Sequence, residues 1–209
     1  LSEVKFSPIE TFFLKKSICN TYMKETELIR TKKKIIMNNI NEYEIDGLVQ
    51  TLRDLHGSEM VVASDIRKET NHPSILNGPY INLDVLEIEE IFRVIKEHKI
   101  KIIYHLAAIL SAKGEENPEL CELINVEGTR NMLEAARKFN LRIFVPSSIA
   151  VFGPDAPKNA PQFTALNPTT KYGMTKVDCE ILGMLYFERY GVDVRGIRYP
   201  GLISWKSPV

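Results

Sequence analysis

Short apolar runs alternate with segments of helical period along this chain, and that alternation restricts the fold more than any other feature. Ile35, Ile36 and Met37 suit a buried strand, and Leu48, Val49, Leu52 and Leu55 then recur at helical spacing until Gly57 stops them. The run MVVAS at 60–64 predicts a second strand, closed by Asp65. A loop rich in Asn, Pro and Gly (71–79) leads to YINLDV at 80–85. Ile88, Ile91, Phe92 and Ile95 then predict a helix with Glu87, Glu89 and Glu90 in its first turn, where the dipole favours them. KIIYHLAA at 101–108 reads as a strand, 125–139 as a helix through Val126, Met132, Leu133 and Ala136, 143–145 as a strand and 194–199 as the last one. Strands alternating with helices imply an α/β protein with a doubly wound parallel sheet, covered on both faces. Residues 1–33 show no sustained period and predict a loosely ordered arm; 34–209 is the folded domain.

Charge narrows the function classes. Twenty-seven basic and 27 acidic residues balance, and pI is about 7.1. No global field therefore favours nucleic acid or a membrane surface, and a small-molecule partner is expected. Cys19, Cys121 and Cys179 are scattered without metal-ligand spacing, so no metal is predicted and a reduced compartment fits. No apolar run is long enough for a transmembrane helix, and no secretory signal opens the chain. The N-terminal lysines are mixed with Glu3, Glu10, Glu25 and Glu27, which mitochondrial transit peptides avoid, so the expected location is cytoplasmic. Opening on Leu rather than Met reads as a fragment or a processed form.

Sheets of this kind bind ligands at the carboxyl ends of their strands. Asp65, Asp84, 106–108, Ser147, Ser148 and 199–201 collect there. Residues 143–176 carry the chemistry. A strand ends in Ser147 and Ser148, a proline-rich loop follows, and a helix opens with Tyr172 and Lys176, four apart on one face. An ammonium beside a phenol favours the phenolate, and a serine hydroxyl from the strand end can polarise an alcohol or carbonyl. That combination suits hydride transfer with proton abstraction from an alcohol.

Several residues allow two readings. Asp65 either caps the following turn or accepts the hydroxyls of an adenosine ribose, which would favour NAD over NADP; Arg67 lies close by. Ser111 is a turn residue or reaches a small polar substrate. Asn125 is the N-cap of its helix, a backbone clamp near the catalytic serine, or both. His105 is expected in the core.

VVASDI at 61–66, LAAILSA at 106–112 followed by Gly114 and Glu115, VPSSIAVFGP at 145–154, YGMTK at 172–176 and RYPGLIS at 198–204 resemble the extended short-chain dehydrogenases, and among them the short-chain L-threonine 3-dehydrogenase type. The resemblance runs over about 34–204 and implies a Rossmann-type domain binding NAD, with L-threonine as substrate and a homodimer as the assembly. It implies Ser148 as the polarising group, Tyr172 as the base and Lys176 as its partner and ribose ligand. Asp65, Ile66, Asp84, Val85, Leu106, Ala107, Ala108, Tyr199, Pro200 and Leu202 would line the cofactor. Ser111, with Ser148 and Tyr172, would meet the amino acid.

Two departures accompany the resemblance. The family's glycine-rich turn aligns on Asn39, Glu42 and Ile45, where Glu42, Glu44 and Asp46 oppose a pyrophosphate and Ile45 crowds the helix, so weakened NAD binding is expected. The substrate lobe that the family builds after this point is largely absent from the chain. Three functions follow: NAD-dependent threonine oxidation, an inactive relative, or a sugar-nucleotide epimerase or dehydratase sharing the core.

Overall fold

A computed structural model describes residues 34–38, 45–68 and 77–200; the side chains of Asn38, Ile45, Asp46 and Gly47 are not included. The expected arm, Asn39, Glu42 and Leu202 lie outside the described residues. The elements in chain order are β1 (Lys34–Asn38), α1 (Ile45–His56), β2 (Val61–Asp65), β3 (Tyr80–Asn82), α2 (Ile88–Glu97) and β4 (Ile100–His105). They continue through α3 (Ser111–Glu116), α4 (Pro118–Glu122), a π-helical segment (Leu123–Glu127), α5 (Gly128–Phe139) and β5 (Arg142–Phe144). The last are β6 (Ser147–Ser148), α6 (Lys171–Tyr190), β7 (Asp193–Arg195) and β8 (Arg198–Tyr199).

Six strands form one sheet in the order β3-β2-β1-β4-β5-β7, every neighbour parallel. The chain builds outward from β1 to β3, then crosses back and builds the other way from β4. The order therefore reverses between β1 and β4, and open sheets of this topology bind ligands beyond the strand carboxyl ends at such a reversal. This is the doubly wound fold the alternation predicts.

Side-chain alternation along the strands sorts the core into two layers. Ile36, Val62, Ile103, Ile143 and Val194 face α2, α5 and α6, burying Ile91, Val94, Met132, Leu133, Leu182 and Tyr186. Ile35, Met37, Val61, Ala63 and Ile102 face the other way, against Val49 and Leu52 of α1. Burial on both sides explains why β2 is buried at every position. At about 1.5–3 kcal/mol for each fully buried aliphatic side chain, these layers supply the main driving force for the fold.

Three expectations shift. The strand read over 80–85 ends at Asn82; Leu83 and Val85 are still buried in the core, but Val85 lies in the turn that leads to α2. The helix read from Asn125 begins earlier, at Pro118, capped by Asn117, whose side chain accepts the Leu120 amide at 3.1 Å. Asn125 thus lies inside a π-helical turn and is not an N-cap. The last strand divides: β7 closes the main sheet, and β8 pairs with β6 in a separate two-stranded ribbon. Gly196 lies between them, where a Cβ would come within 2.7 Å of the Val145 carbonyl oxygen.

Candidate active site

Tyr172 and Lys176 stand in the first two turns of α6 because Thr170 starts that helix, its hydroxyl accepting the Gly173 amide at 3.0 Å. The Lys176 ammonium lies 5.6 Å from the centre of the Tyr172 ring and donates to the Pro146 carbonyl at 3.1 Å. Lys176 is buried, and this desolvation pulls its pKa below the ordinary lysine value, partly opposed by Cys179, Cys121 and Glu180. The helix start is close-packed: a Cβ on Gly173 would meet the Ala150 carbonyl oxygen at 2.6 Å.

The two serines separate. In β6 successive side chains point to opposite sides. Ser148 is half-buried, and its hydroxyl oxygen accepts the Ala150 amide at 3.2 Å, which orients the oxygen and leaves its proton to donate. Ser147 turns inward and donates to Glu180 at 2.5 Å. Ser147 is thus committed to Glu180, whereas the Ser148 hydroxyl keeps its proton.

Behind Lys176 lies a buried polar network. Asn125 clamps the chain after β4, accepting the Ile109 amide at 2.7 Å and donating to the Ile109 carbonyl at 3.1 Å, with a further bond to the Thr175 hydroxyl at 2.9 Å. Thr129 donates to the Asn125 carbonyl at 2.6 Å, so its oxygen accepts the Nε2 proton of His105 at 3.1 Å. The Nδ1 of His105 has no hydrogen-bond partner among the described residues. Burial, reinforced by the Lys176 charge, lowers the His105 pKa from 6.5 to about 3. The core position expected for His105 is the one it holds.

At the end of β2, Asp65 is 3 % exposed, and its Oδ1 accepts the backbone amide of Arg67 at 2.9 Å and the Arg67 Nε at 3.1 Å. It thus caps its turn while keeping a carboxylate at the strand terminus. Tyr80 fixes the same turn by donating to the Arg67 carbonyl at 2.6 Å. Ile66 is exposed, Ala107 is buried and Leu106 and Ala108 are half-buried beyond β4. The Asp84 carboxylate accepts the Leu86 amide at 2.9 Å. The Val85 side chain points into the core, so only its backbone can face a ligand. Ser111 opens α3 in an exposed position. Tyr199 pairs in register with Ser148, and exposed Pro200 is the last described residue. A carboxylate at the end of β2, small residues after β4 and an ammonium on α6 form a donor set that fits a dinucleotide lying across the strand carboxyl ends.

The sequence reading missed the pair Glu180 and Arg198. Arg198 donates to the two Glu180 oxygens at 2.8 and 2.7 Å, with each side chain 6 % exposed. One signal was present: Glu180 follows Lys176 by one helical turn on the buried side of α6. Among the described residues, no group of His, Cys, Asp and Glu could hold a metal ion, and no helix is long and apolar enough to cross a membrane.

The fold is a Rossmann-type α/β domain, with Tyr172 and Lys176 at the head of α6 and Ser148 on β6. The description of the NAD dependent epimerase/dehydratase family matches residues 47–206, and the chain belongs to that family. An uncharacterized epimerase/dehydratase of Staphylococcus aureus is 45% identical over 158 residues, 75% of this chain and 49% of the relative. The L-threonine dehydrogenase of Clostridium difficile superposes with a TM-score of 0.81 at 39% identity, covering 86% of this chain and 56% of that one. A monomeric L-threonine 3-dehydrogenase from a metagenome superposes at 0.77 with 47% identity, covering 83% and 55%. The chain thus spans about half the length of the relatives it matches.

Proposed function

We propose that this chain carries the catalytic core for NAD-dependent oxidation of L-threonine at its 3-hydroxyl, giving 2-amino-3-ketobutyrate. The observation that carries the reading is the Tyr172–Lys176 pair at the head of α6, with the Ser148 hydroxyl oriented by the Ala150 amide. Likeness to two L-threonine dehydrogenase structures supports the substrate.

NAD, when bound, supplies the nicotinamide ring that accepts the C3 hydride. Ser148 donates a hydrogen bond to the substrate oxygen and holds it against Tyr172. Tyr172 takes the hydroxyl proton as the C3–H bond breaks, so that a ketone forms without a free alkoxide. Lys176 spends one N–H on Pro146 and keeps two donors for a ribose, while its positive charge favours the phenolate. Asp65 accepts the adenosine ribose hydroxyls and disfavours a 2′-phosphate. Ile66, Asp84, the backbone of Val85, 106–108, Tyr199 and Pro200 line the cofactor, and Ser111 meets the amino acid. The assembly proposed is a homodimer through α6 and its neighbouring helix, using the exposed Ile181, Phe187 and Tyr190.

Protein mixed with NAD and L-threonine should generate NADH absorbance. Micromolar NAD binding by calorimetry without turnover would sink the threonine reaction. Retention of a UDP-sugar would instead favour epimerase or dehydratase chemistry, and binding of neither ligand would mark an inactive relative.

A further inference from the structure

The three residues proposed for catalysis come from two separate pieces of structure. Tyr172 and Lys176 ride on α6, whereas Ser148 rides on the β6–β8 ribbon, whose strands have only two residues each. So short a ladder is too weak to hold a hydroxyl in place unaided. Beside the Lys176 bond to Pro146, one buried carboxylate joins the pieces through both strands of the ribbon. Ser147 and Arg198 are register partners across the ribbon, and both donate to Glu180: Ser147 Oγ to Oε1 at 2.5 Å, Arg198 Nε to Oε1 at 2.8 Å and Arg198 Nη2 to Oε2 at 2.7 Å. Arg198 also reaches the chain between Ser148 and Tyr172. Its Nη1 donates to the Gln162 carbonyl at 2.9 Å, and its guanidinium lies 5.0 Å from the centre of the Phe152 ring.

We infer that Glu180 and Arg198 are positioning residues that fix Ser148 against Tyr172 and Lys176. The inference rests on the dehydrogenase reading of those three residues. Stability alone is a poor reason for the pair, because the desolvation of two buried charges offsets much of their attraction and an apolar pair of similar volume is often as stable. What an apolar pair lacks is direction. A bidentate fork specifies both the distance and the angle between helix and ribbon.

The test replaces both charges at once, Glu180→Met with Arg198→Met, so that no orphan charge is left in the interior. NAD affinity should stay near that of the unaltered chain, while kcat with L-threonine falls about 100-fold, the penalty of a misplaced reacting group. Arg198→Lys, which keeps the charge and loses the fork, should fall between. A folded double variant turning over near the original rate overturns the inference. If the double variant fails to fold, Arg198→Lys alone is read the same way, since it leaves no orphan charge and keeps the Ser147 bond to Glu180. If the unaltered chain does not oxidise threonine, the proposed reaction fails, and amide exchange at Ala150, whose N–H holds Ser148, decides instead. Faster exchange in Arg198→Lys upholds the positioning role; unchanged exchange overturns it.

Discussion

Asn125 serves Ile109 as a neighbouring strand would, taking its N–H at 2.7 Å and giving its own amide proton to its carbonyl at 3.1 Å. Among the described residues no strand pairs with Ile109, and one buried side chain supplies both of its backbone bonds. The π-helical turn around Asn125 widens the helix at the point from which that side chain reaches across.

Asn125→Ala should therefore cost about 3 kcal/mol, because both backbone groups of Ile109 lose their partner in a part-buried place. Asn125→Asp should also destabilise, since it turns the donor facing the Ile109 carbonyl into an acceptor. Urea unfolding measures both; an Ala variant as stable as the unaltered chain would refute the clamp.

His105 predicts a pH dependence. Its folded pKa, about 3, lies below the ordinary 6.5, so the unfolded chain binds the extra proton. Its contribution is fully present above pH 6.5 and is lost as pH falls toward 3, by about 1.4 kcal/mol per pH unit in that window. His105→Gln, which keeps a donor for Thr129, should flatten that slope. Unfolding curves at pH 7 and pH 5 for the two proteins would decide, and equal slopes would contradict the assignment.

Gly173→Ala should misalign the site. Its Cβ would come within 2.6 Å of the Ala150 carbonyl oxygen and 2.8 Å of the Pro168 Cβ. The expected cost is about 1–3 kcal/mol in stability, with a loss of turnover because the displaced Ala150 also holds Ser148. A variant with an unchanged unfolding midpoint and rate would show that the helix start can yield.

Tyr172→Phe should abolish threonine oxidation and leave the fold intact, because it removes one oxygen and little volume. Circular dichroism and NADH formation together test this. Retention of most of the rate would exclude Tyr172 as the base.

Much of the fold was legible before any coordinates. The short apolar runs of β1, β2, β4 and β5 and the helical stripes of α1, α2, α5 and α6 follow from local patterning, and their alternation leaves little but a parallel, doubly wound sheet. Local pattern misjudged the ends. Residues 83–85 look like strand because Leu83 and Val85 are apolar, yet the pairing with β2 ends where the Leu83 amide donates to the Asp65 carbonyl at 2.8 Å, and Val85 lies in a turn. Asn125 looks like a cap because Asn favours caps, whereas Asn117, just before Pro118, takes that role.

Within the candidate site, the sequence by itself determined the Tyr172–Lys176 spacing and the arrival of a serine at a strand end, since both depend only on helix and strand periods. Only the tertiary structure decided which serine is bound to Glu180, what Asn125 holds, and that Glu180 and Arg198 tie helix to ribbon. Those contacts join residues far apart in the chain. Their geometry is set by where the crossovers lay each strand and helix, which no local period encodes.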